Sequence, residues 1–188
     1  MTIRNILEQL EVGQTKFSSI RFFSAKPGIY AIYFIGYNFP GCERISQNQL
    51  IYIGKTESSH EKRNAKTHFS SGKTGSSTLR KSIGSLLKTE LNLNPIPRNN
   101  IDFLKRRYSH FTFDDISEKK ITEWMSNNLA LAFFEFSAPK EKLNALESVL
   151  INELCPILNI VNNKENSFRH ELQERRKLCA DSAHKIVR

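Results

Sequence analysis

Two short stretches decide the fold of this chain: residues 28–35 read GIYAIYFI and residues 50–53 read LIYI. Both are rich in the β-branched and aromatic side chains that favour strands. The segment between them, residues 36–49, carries glycine, proline and asparagine, which are typical of turns. We therefore expect an antiparallel hairpin with an extended tip.

The rest of the chain alternates helical and extended patterns. Ser58 with Glu61 forms a capping-box pattern, and Ser77 and Ser137 are expected N-caps. The pattern predicts an α/β domain: a small mixed or antiparallel sheet opened by the hairpin and flanked by helices. The expected boundaries are an N-terminal helical lead (1–25), a central domain (26–160) and a C-terminal helical extension packed on it (161–188). The individual predictions are helices over 1–16, 58–69, 78–89, 117–127, 138–154 and 166–188, and a core strand over 129–136.

Composition points to a nucleic-acid partner. The chain has 188 residues, 39% of them hydrophobic, which suits one domain. Its formal net charge is +9, so a polyanion is the first partner to consider. Cys42, Cys155 and Cys179 have no metal-binding or redox spacing and are interpreted as reduced thiols. No stretch resembles a signal peptide or a membrane span, so we expect a cytoplasmic protein that does not bind membranes.

Glu147 is the most informative position outside the hairpin. On the helix predicted over residues 138–154 it lies in the middle of an apolar face. Four apolar residues share that face: Leu143, Leu150, Ile151 and Leu154. Burying a lone carboxylate is costly, so such a group is normally paired with a cation or bound to a metal. The residues alone leave both alternatives open.

The two strand motifs resemble those of the GIY-YIG nuclease superfamily. Gly28-Ile29-Tyr30 matches the first motif and Tyr52-Ile53-Gly54 matches the second. The resemblance covers roughly residues 26 to 160. Within this range the chain is similar to the incision nuclease domain of bacterial nucleotide excision repair. Further family positions follow in order along the chain: Lys55, Arg63, Glu147, Pro156 and Asn159.

This resemblance implies a catalytic centre for phosphodiester hydrolysis in DNA. It implies one Mg²⁺ or Mn²⁺ held by Glu147, with phosphate oxygens and waters completing the shell. Tyr52 would act as the general base, and Lys55 would help to lower its pKa. Arg63 would brace the non-bridging phosphate oxygens, and Tyr30 would orient the water or the phosphate.

Other family positions have supporting roles in this interpretation. Gly28 and Gly54 belong to the strand motifs, and Asn159 is expected to tie the glutamate helix to the hairpin. His68 is a further catalytic candidate, because many family members place a histidine or tyrosine one helical turn after the arginine. His68, however, is five residues after Arg63, about 140° round an α-helix. His60, three residues before Arg63, is the alternative, and both histidines could instead be surface or boundary residues.

The loop between the two motifs is longer than is usual in the family. The inserted tip could contact substrate or simply decorate the fold. Neither possibility disturbs the strands themselves.

Two segments end like nucleotide-binding P-loops but lack the upstream glycine. These are residues 54–56 and 72–74, and the required positions hold Gln49 and Thr67. We therefore expect no nucleotide cofactor. Residues 72–80, GKTGSSTLR, could still offer Lys73, Arg80 and backbone N–H groups to a DNA phosphate, or could form a flexible connection. Two basic clusters are further candidates for backbone contacts or solvated faces: Arg98 with Lys105, Arg106 and Arg107, and Arg175 with Arg176 and Lys177.

The sequence therefore favours a metal-dependent DNA endonuclease. A non-catalytic DNA-binding or adaptor protein with the same fold is one alternative. A structure-specific RNA nuclease is another, because a phosphate-centred site does not distinguish the sugars. The residues do not determine the oligomeric state.

Overall fold

The computed structural model describes residues 2–98 and 110–185. A four-stranded sheet has the order β1-β6-β2-β3, and every neighbouring pair is antiparallel. A second sheet pairs β4 with β5. The strands are β1 (Thr15–Lys16), β2 (Gly28–Phe34), β3 (Gln49–Thr56), β4 (Pro95–Pro97), β5 (Phe111–Phe113) and β6 (Leu129–Glu135). The α-helices are α1 (Ile3–Val12), α2 (Thr78–Leu86), α3 (Asp115–Asn128), α4 (Lys140–Leu154) and α5 (Arg169–Lys185), and a π-helix spans Glu61–His68.

These elements confirm the predicted α/β class and the antiparallel hairpin. β2 lies in the middle of the main sheet, and all seven of its residues are buried. Because side chains alternate along a strand, β2 supplies two hydrophobic clusters, one on each face of the sheet. One cluster contains Ile29, Ala31 and Tyr33 with residues of α1 and α4. The other contains Tyr30, Ile32 and Phe34 with residues of α2, α3 and α5.

The long hairpin tip folds back into the core. Phe39, Cys42 and Ile45 are buried in the same cluster as Tyr30. The ring of Phe39 lies 4.8 Å from that of Trp124 on α3. These three side chains of the tip therefore have a packing role in the core.

Several predicted helix boundaries are wrong. The first helix ends at Val12, because the chain turns at Gly13 and Thr15–Lys16 pairs with β6. The capping box of Ser58 and Glu61 does not form, and the Ser59 hydroxyl instead accepts from the Lys62 N–H at 3.1 Å.

Of the two other predicted caps, Ser137 is wrong and Ser77 is confirmed. α4 begins at Lys140 after Pro139, so Ser137 is not its cap. Ser77 does cap α2, where its hydroxyl accepts from the Arg80 N–H at 3.1 Å.

The C-terminal helix is integral to the core. Phe168, just before α5, and Leu172 and Cys179 within it are buried in the cluster that contains Tyr30. This agrees with the prediction of a terminal helix lying on the domain. No helix in residues 2–98 and 110–185 is both long and apolar enough to span a bilayer.

Candidate active site

Side chains from four separated segments of the chain line one cleft of about 420 Å³. Tyr30 comes from β2, Tyr52 and Lys55 from β3, Arg63 from the π-helix and Glu147 from α4. All five were predicted as catalytic residues from the sequence. The fold therefore brings them into one place, although Glu147 is far from the others along the chain.

The pairing of β2 with β3 sets the positions of the two tyrosines. Tyr30 is opposite Gly54, and Ile32 is opposite Tyr52, so both tyrosines project from the same face of the sheet. Their ring centroids are 6.3 Å apart. A β-carbon built on Gly54 would collide with the ring and hydroxyl of Tyr30. One on Gly28 would collide with the backbone of β6 at Phe134. Both motif glycines are thus required sterically.

The π-helix places His68 beside Arg63 despite their five-residue spacing. In this helix hydrogen bonds join residues five apart, as between the Phe69 N–H and the Asn64 carbonyl at 3.0 Å. Arg63 and His68 are five apart and both reach the hydroxyl of Tyr30. The angle of about 140° expected for an α-helix is therefore wrong here, because the segment is not α-helical.

The Tyr30 hydroxyl is the centre of a buried polar network. It accepts from the Nε–H of Arg63 at 3.3 Å and lies 2.7 Å from Nε2 of His68. Nδ1 of His68 lies 2.7 Å from the hydroxyl of Ser77. Burial, together with the nearby guanidinium of Arg63, holds the pKa of His68 well below its usual range. His68 is therefore neutral, with one ring nitrogen donating and the other accepting.

His60 is also buried, but its ring does not join this network. It stacks on Phe133 and meets the Tyr30 ring edge-on at 6.3 Å between centroids. Burial lowers the pKa of His60 to about 4. Both histidines are fully buried, so the alternative that they are surface or boundary residues is wrong.

Both tyrosine hydroxyls hold their protons strongly. Burial raises the pKa of Tyr30 and of Tyr52 above the usual value, and the negative charge of Glu147 raises both further. The hydroxyl of Tyr52 lies 3.2 Å from the hydroxyl of Thr78 at the start of α2. Thr78 was not predicted from the sequence, because the local pattern around Thr78 does not distinguish it from other residues that follow an N-cap.

Glu147 is half-buried on α4, where the apolar neighbours Leu143, Leu150 and Ile151 are buried as expected from the helical pattern. Burial raises the pKa of its carboxyl group, while Lys55 and Arg63 oppose that effect. Among the described residues, Glu147 forms no ion pair within 4.0 Å. A carboxylate that faces a cleft in this way fits a divalent cation whose remaining ligands come from substrate and water.

Such a cation would depend on Glu147 alone. Across residues 2–98 and 110–185, no three His, Cys, Asp or Glu side chains are grouped to hold a metal ion. Glu57 lines the same cleft but forms an ion pair with Lys55, and a longer one of 3.6 Å with Lys140. Like Thr78, Glu57 was not predicted from the sequence as a residue of this cleft.

Asn159 connects the segment after α4 to the hairpin. Its side-chain oxygen accepts from the Ile53 N–H and its amide donates to the Ile53 carbonyl, both at 2.8 Å. Ile53 lies between Tyr52 and Gly54, so these bonds fix the strand at the second motif. This is the link between the glutamate helix and the hairpin that the sequence indicated.

Arg80 is not a phosphate ligand, contrary to the prediction. Its side chain is 0% exposed and forms an ion pair with Glu118 on α3. It also donates to the His68 carbonyl at 3.1 Å. The neighbouring backbone N–H groups of Gly72 and Thr74 donate to the Glu118 carboxylate, so they too are occupied. The loop thus binds an internal carboxylate.

The other predicted DNA contacts are Lys73 and the basic group of Lys105, Arg106 and Arg107. The side chain of Lys73 is exposed in the loop before α2. Lys105, Arg106 and Arg107 lie outside the described residues.

Comparison with known proteins agrees with this geometry. A family model for the GIY-YIG catalytic domain matches residues 28–178, from the first residue of β2 into α5. Searches of the curated proteins and of the solved structures gave no match. The matched region contains both tyrosine motifs, the π-helix and Glu147, and it covers most of the chain. The protein therefore belongs to the GIY-YIG catalytic domain family.

Proposed function

We propose that the protein is a metal-dependent DNA endonuclease that hydrolyses phosphodiester bonds in the cleft between the hairpin, the π-helix and α4. The observation that carries this proposal is the convergence of Tyr30, Tyr52, Arg63 and Glu147 on one cleft. Membership of a nuclease family and a net charge of +9 support a nucleic-acid substrate. Three free cysteines, one of them exposed, support a reducing compartment, and we propose the cytoplasm.

Arg63 binds and braces the phosphate in this proposal. Its Nε–H is engaged by Tyr30, which fixes the plane of the guanidinium group. The terminal N–H groups then face the cleft as a preformed pair of donors for non-bridging oxygens. Because these donors need no reorganisation, they stabilise the charge that builds on the phosphate in the transition state.

Tyr30 orients the attacking water. Its oxygen accepts from Arg63, and when His68 donates through Nε2 the tyrosine proton is left to point into the cleft. The neutral state of His68 makes this arrangement available at physiological pH. His68 thus acts as a positioning residue for Tyr30.

Tyr52 receives the proton from the water. Burial, and more weakly the negative charge of Glu147, raise the pKa of Tyr52 and keep it protonated in the free protein. Tyr52 must therefore lose its own proton to solvent before it can accept one from the attacking water. A bound Mg²⁺ or Mn²⁺ would neutralise Glu147 and the phosphate oxygens and thereby lower the pKa of Tyr52. Lys55, beside Glu147, adds a further positive charge at the same place.

The test is to incubate the purified protein with supercoiled plasmid, branched DNA and structured RNA, with Mg²⁺ or Mn²⁺ and with chelator. We expect cutting of DNA only when the metal is present. Glu147→Gln should reduce the rate by at least about a hundredfold, the scale of losing a major electrostatic contribution. Glu153→Gln, an exposed glutamate on the same helix, is the matched control and should cut normally.

Three results would contradict the proposal. Equal cutting by wild type and Glu147→Gln would remove the metal-ligand role. Cutting of RNA but not DNA would change the substrate class. Tight DNA binding with no cutting of any substrate would favour the adaptor function.

A further inference from the structure

A second, larger cleft of about 760 Å³ lies beside the catalytic cleft. Tyr52 and Glu147 line both clefts, so the two are adjacent. The second cleft runs between α4, the segment after it and α5, and Arg176 of α5 lines it. Its position makes it a path along which a substrate strand can leave the reacting phosphate.

Lys81 on α2 is a buried cation about one helical turn after Thr78, whose hydroxyl lies 3.2 Å from that of Tyr52. Its side chain is only 6% exposed, and Nζ donates to the Gly75 carbonyl at 3.0 Å. Among residues 2–98 and 110–185 no carboxylate lies within ion-pair distance of it. Burial and the positive charges of Arg176 and Arg98 together lower the pKa of Lys81 to about 8.

Arg98 directly follows β4 and Arg176 lies on α5, and α5 packs against both β4 and α2, so these two cations are neighbours of Lys81. Arg98 lies beside Gly75: a β-carbon built on Gly75 would be 3.2 Å from the Nε of Arg98. Lys81 donates to the carbonyl of the same glycine. Arg176 is half-buried and, in the described part of the chain, has no carboxylate partner. Its neighbour Arg175 differs, because it pairs with Glu171 at 3.3 Å.

Three mutually repelling cations without an acidic partner are unfavourable until an anion binds between them. Among the described residues that line the cleft, the carboxylates are Glu147, next to the catalytic cleft, and Glu174 on α5. The remaining wall is largely apolar and includes Ile151, Leu158 and Ile160. A nucleotide has matching chemistry, with an anionic phosphate and an apolar base face.

We propose that Lys81, Arg98 and Arg176 form a second phosphate subsite, which binds a backbone phosphate of the substrate strand next to the one that is cut. The sugar and base of the intervening nucleotide lie against the apolar wall of the second cleft. This inference rests on the proposed nuclease function. It adds the direction in which the strand crosses the site, from Arg63 past Tyr52 towards α5.

The test measures binding of a fluorescently labelled DNA duplex with a single-stranded arm, in chelator so that no cutting occurs. Arg98→Gln and Arg176→Gln should each weaken binding, and the double variant should lower the slope of log affinity against log salt by about one to two. Arg175→Gln is the matched control and should change the slope by less than half as much. Arg98 is exposed, so its single variant should fold even if a change at the half-buried Arg176 does not.

An unchanged slope in the folded Arg98→Gln variant and in the double variant would overturn the subsite. Equal losses in Arg175→Gln and Arg176→Gln would also overturn it, because the effect would then be one of general charge. Failure of the proposed nuclease function would give a different result. The wild type would then cut no substrate, but the slope of log affinity against log salt would still differ between the subsite variants and Arg175→Gln.

Discussion

Gly54 lies opposite Tyr30 on the neighbouring strand, and its missing side chain leaves the space that the Tyr30 ring occupies. Tyr30 cannot yield this space easily, because Arg63 and His68 hold its hydroxyl. The glycine of the second motif is therefore part of the site, although it carries no functional group.

Replacing Gly54 by alanine should displace Tyr30 and strain the core. We expect the free energy of unfolding to fall by about 1–3 kcal/mol, the usual cost of overpacking, and cutting to be strongly reduced. Chemical denaturation and a cleavage assay would measure the two effects. Gly75→Ala is the control for the stability measurement only, since its new β-carbon would meet the flexible side chain of Arg98 and no backbone. Wild-type stability in Gly54→Ala would contradict the steric argument.

The buried histidines should make the protein less stable in mild acid. His60 and His68 have lowered pKa values in the folded state, whereas an unfolded histidine titrates near 6.5. Below about pH 6.5 the unfolded chain therefore binds more protons than the folded one, so stability falls as the pH falls. Each histidine contributes up to about 1.4 kcal/mol per pH unit. For His60 this window extends down to about pH 4.

Denaturant unfolding of wild type and His60→Gln across this range would measure the effect. The variant should show the smaller loss of stability per pH unit. His170→Gln, which changes an exposed histidine, should behave as wild type. Parallel curves for wild type and His60→Gln would rule out a neutral, buried His60.

At the scale of elements, the π-helix is the feature that aligns the site. A π-helix corresponds to an α-helix with one inserted residue, and such segments are often found at functional sites. Here the five-residue step brings Arg63 and His68 together at Tyr30. An α-helix would do the same with a four-residue step, since residues four apart lie about 40° from each other.

Deleting the exposed Lys66 should therefore convert the segment to an α-helix and keep cutting within about tenfold of wild type. Inserting one alanine after Lys66 should abolish cutting, because His68 then leaves the face of Arg63. Lys66→Ala, which removes only an ion pair with Glu61, is the control for both. Loss of cutting in a folded deletion variant would show that the site needs the π geometry itself.

At the scale of the whole molecule, the sheet is buried on both faces, and α5 covers part of the face that carries the tyrosines. Five buried residues of the C-terminal segment belong to this core: Phe168, Leu172, Cys179, Ala180 and Ala183. The segment also supplies Arg176 to the second cleft. It is therefore integral to the core.

A chain that ends after Lys164 should not fold cooperatively. Burying each large apolar side chain contributes about 1.5–3 kcal/mol, and the total stability of a domain is only about 5–15 kcal/mol. Circular dichroism during urea unfolding would detect the loss. Leu172→Ala, which removes one of these side chains, should cost about 2–5 kcal/mol and still fold. A cooperative transition in the truncated chain would show that residues 1–164 suffice for folding.

The hairpin, the α/β class and the order of the catalytic candidates could all be predicted from the sequence. These follow from local chemistry: β-branched and aromatic runs favour strands, and the motif residues Tyr30, Tyr52, Arg63 and Glu147 occur in a recognisable order. The capping of α2 by Ser77 is of the same kind, since a cap depends only on its own turn.

Which charges line the clefts and which are internal depends on tertiary contacts. Arg80 and Arg176 look alike in sequence, yet Arg80 is neutralised by Glu118 in the core whereas Arg176 lines an open cleft. The π-helix likewise depends on Tyr30 and Ser77 holding His68 from outside its own segment. Charge pairing and helix winding of this kind depend on contacts between distant residues, and no local pattern encodes them.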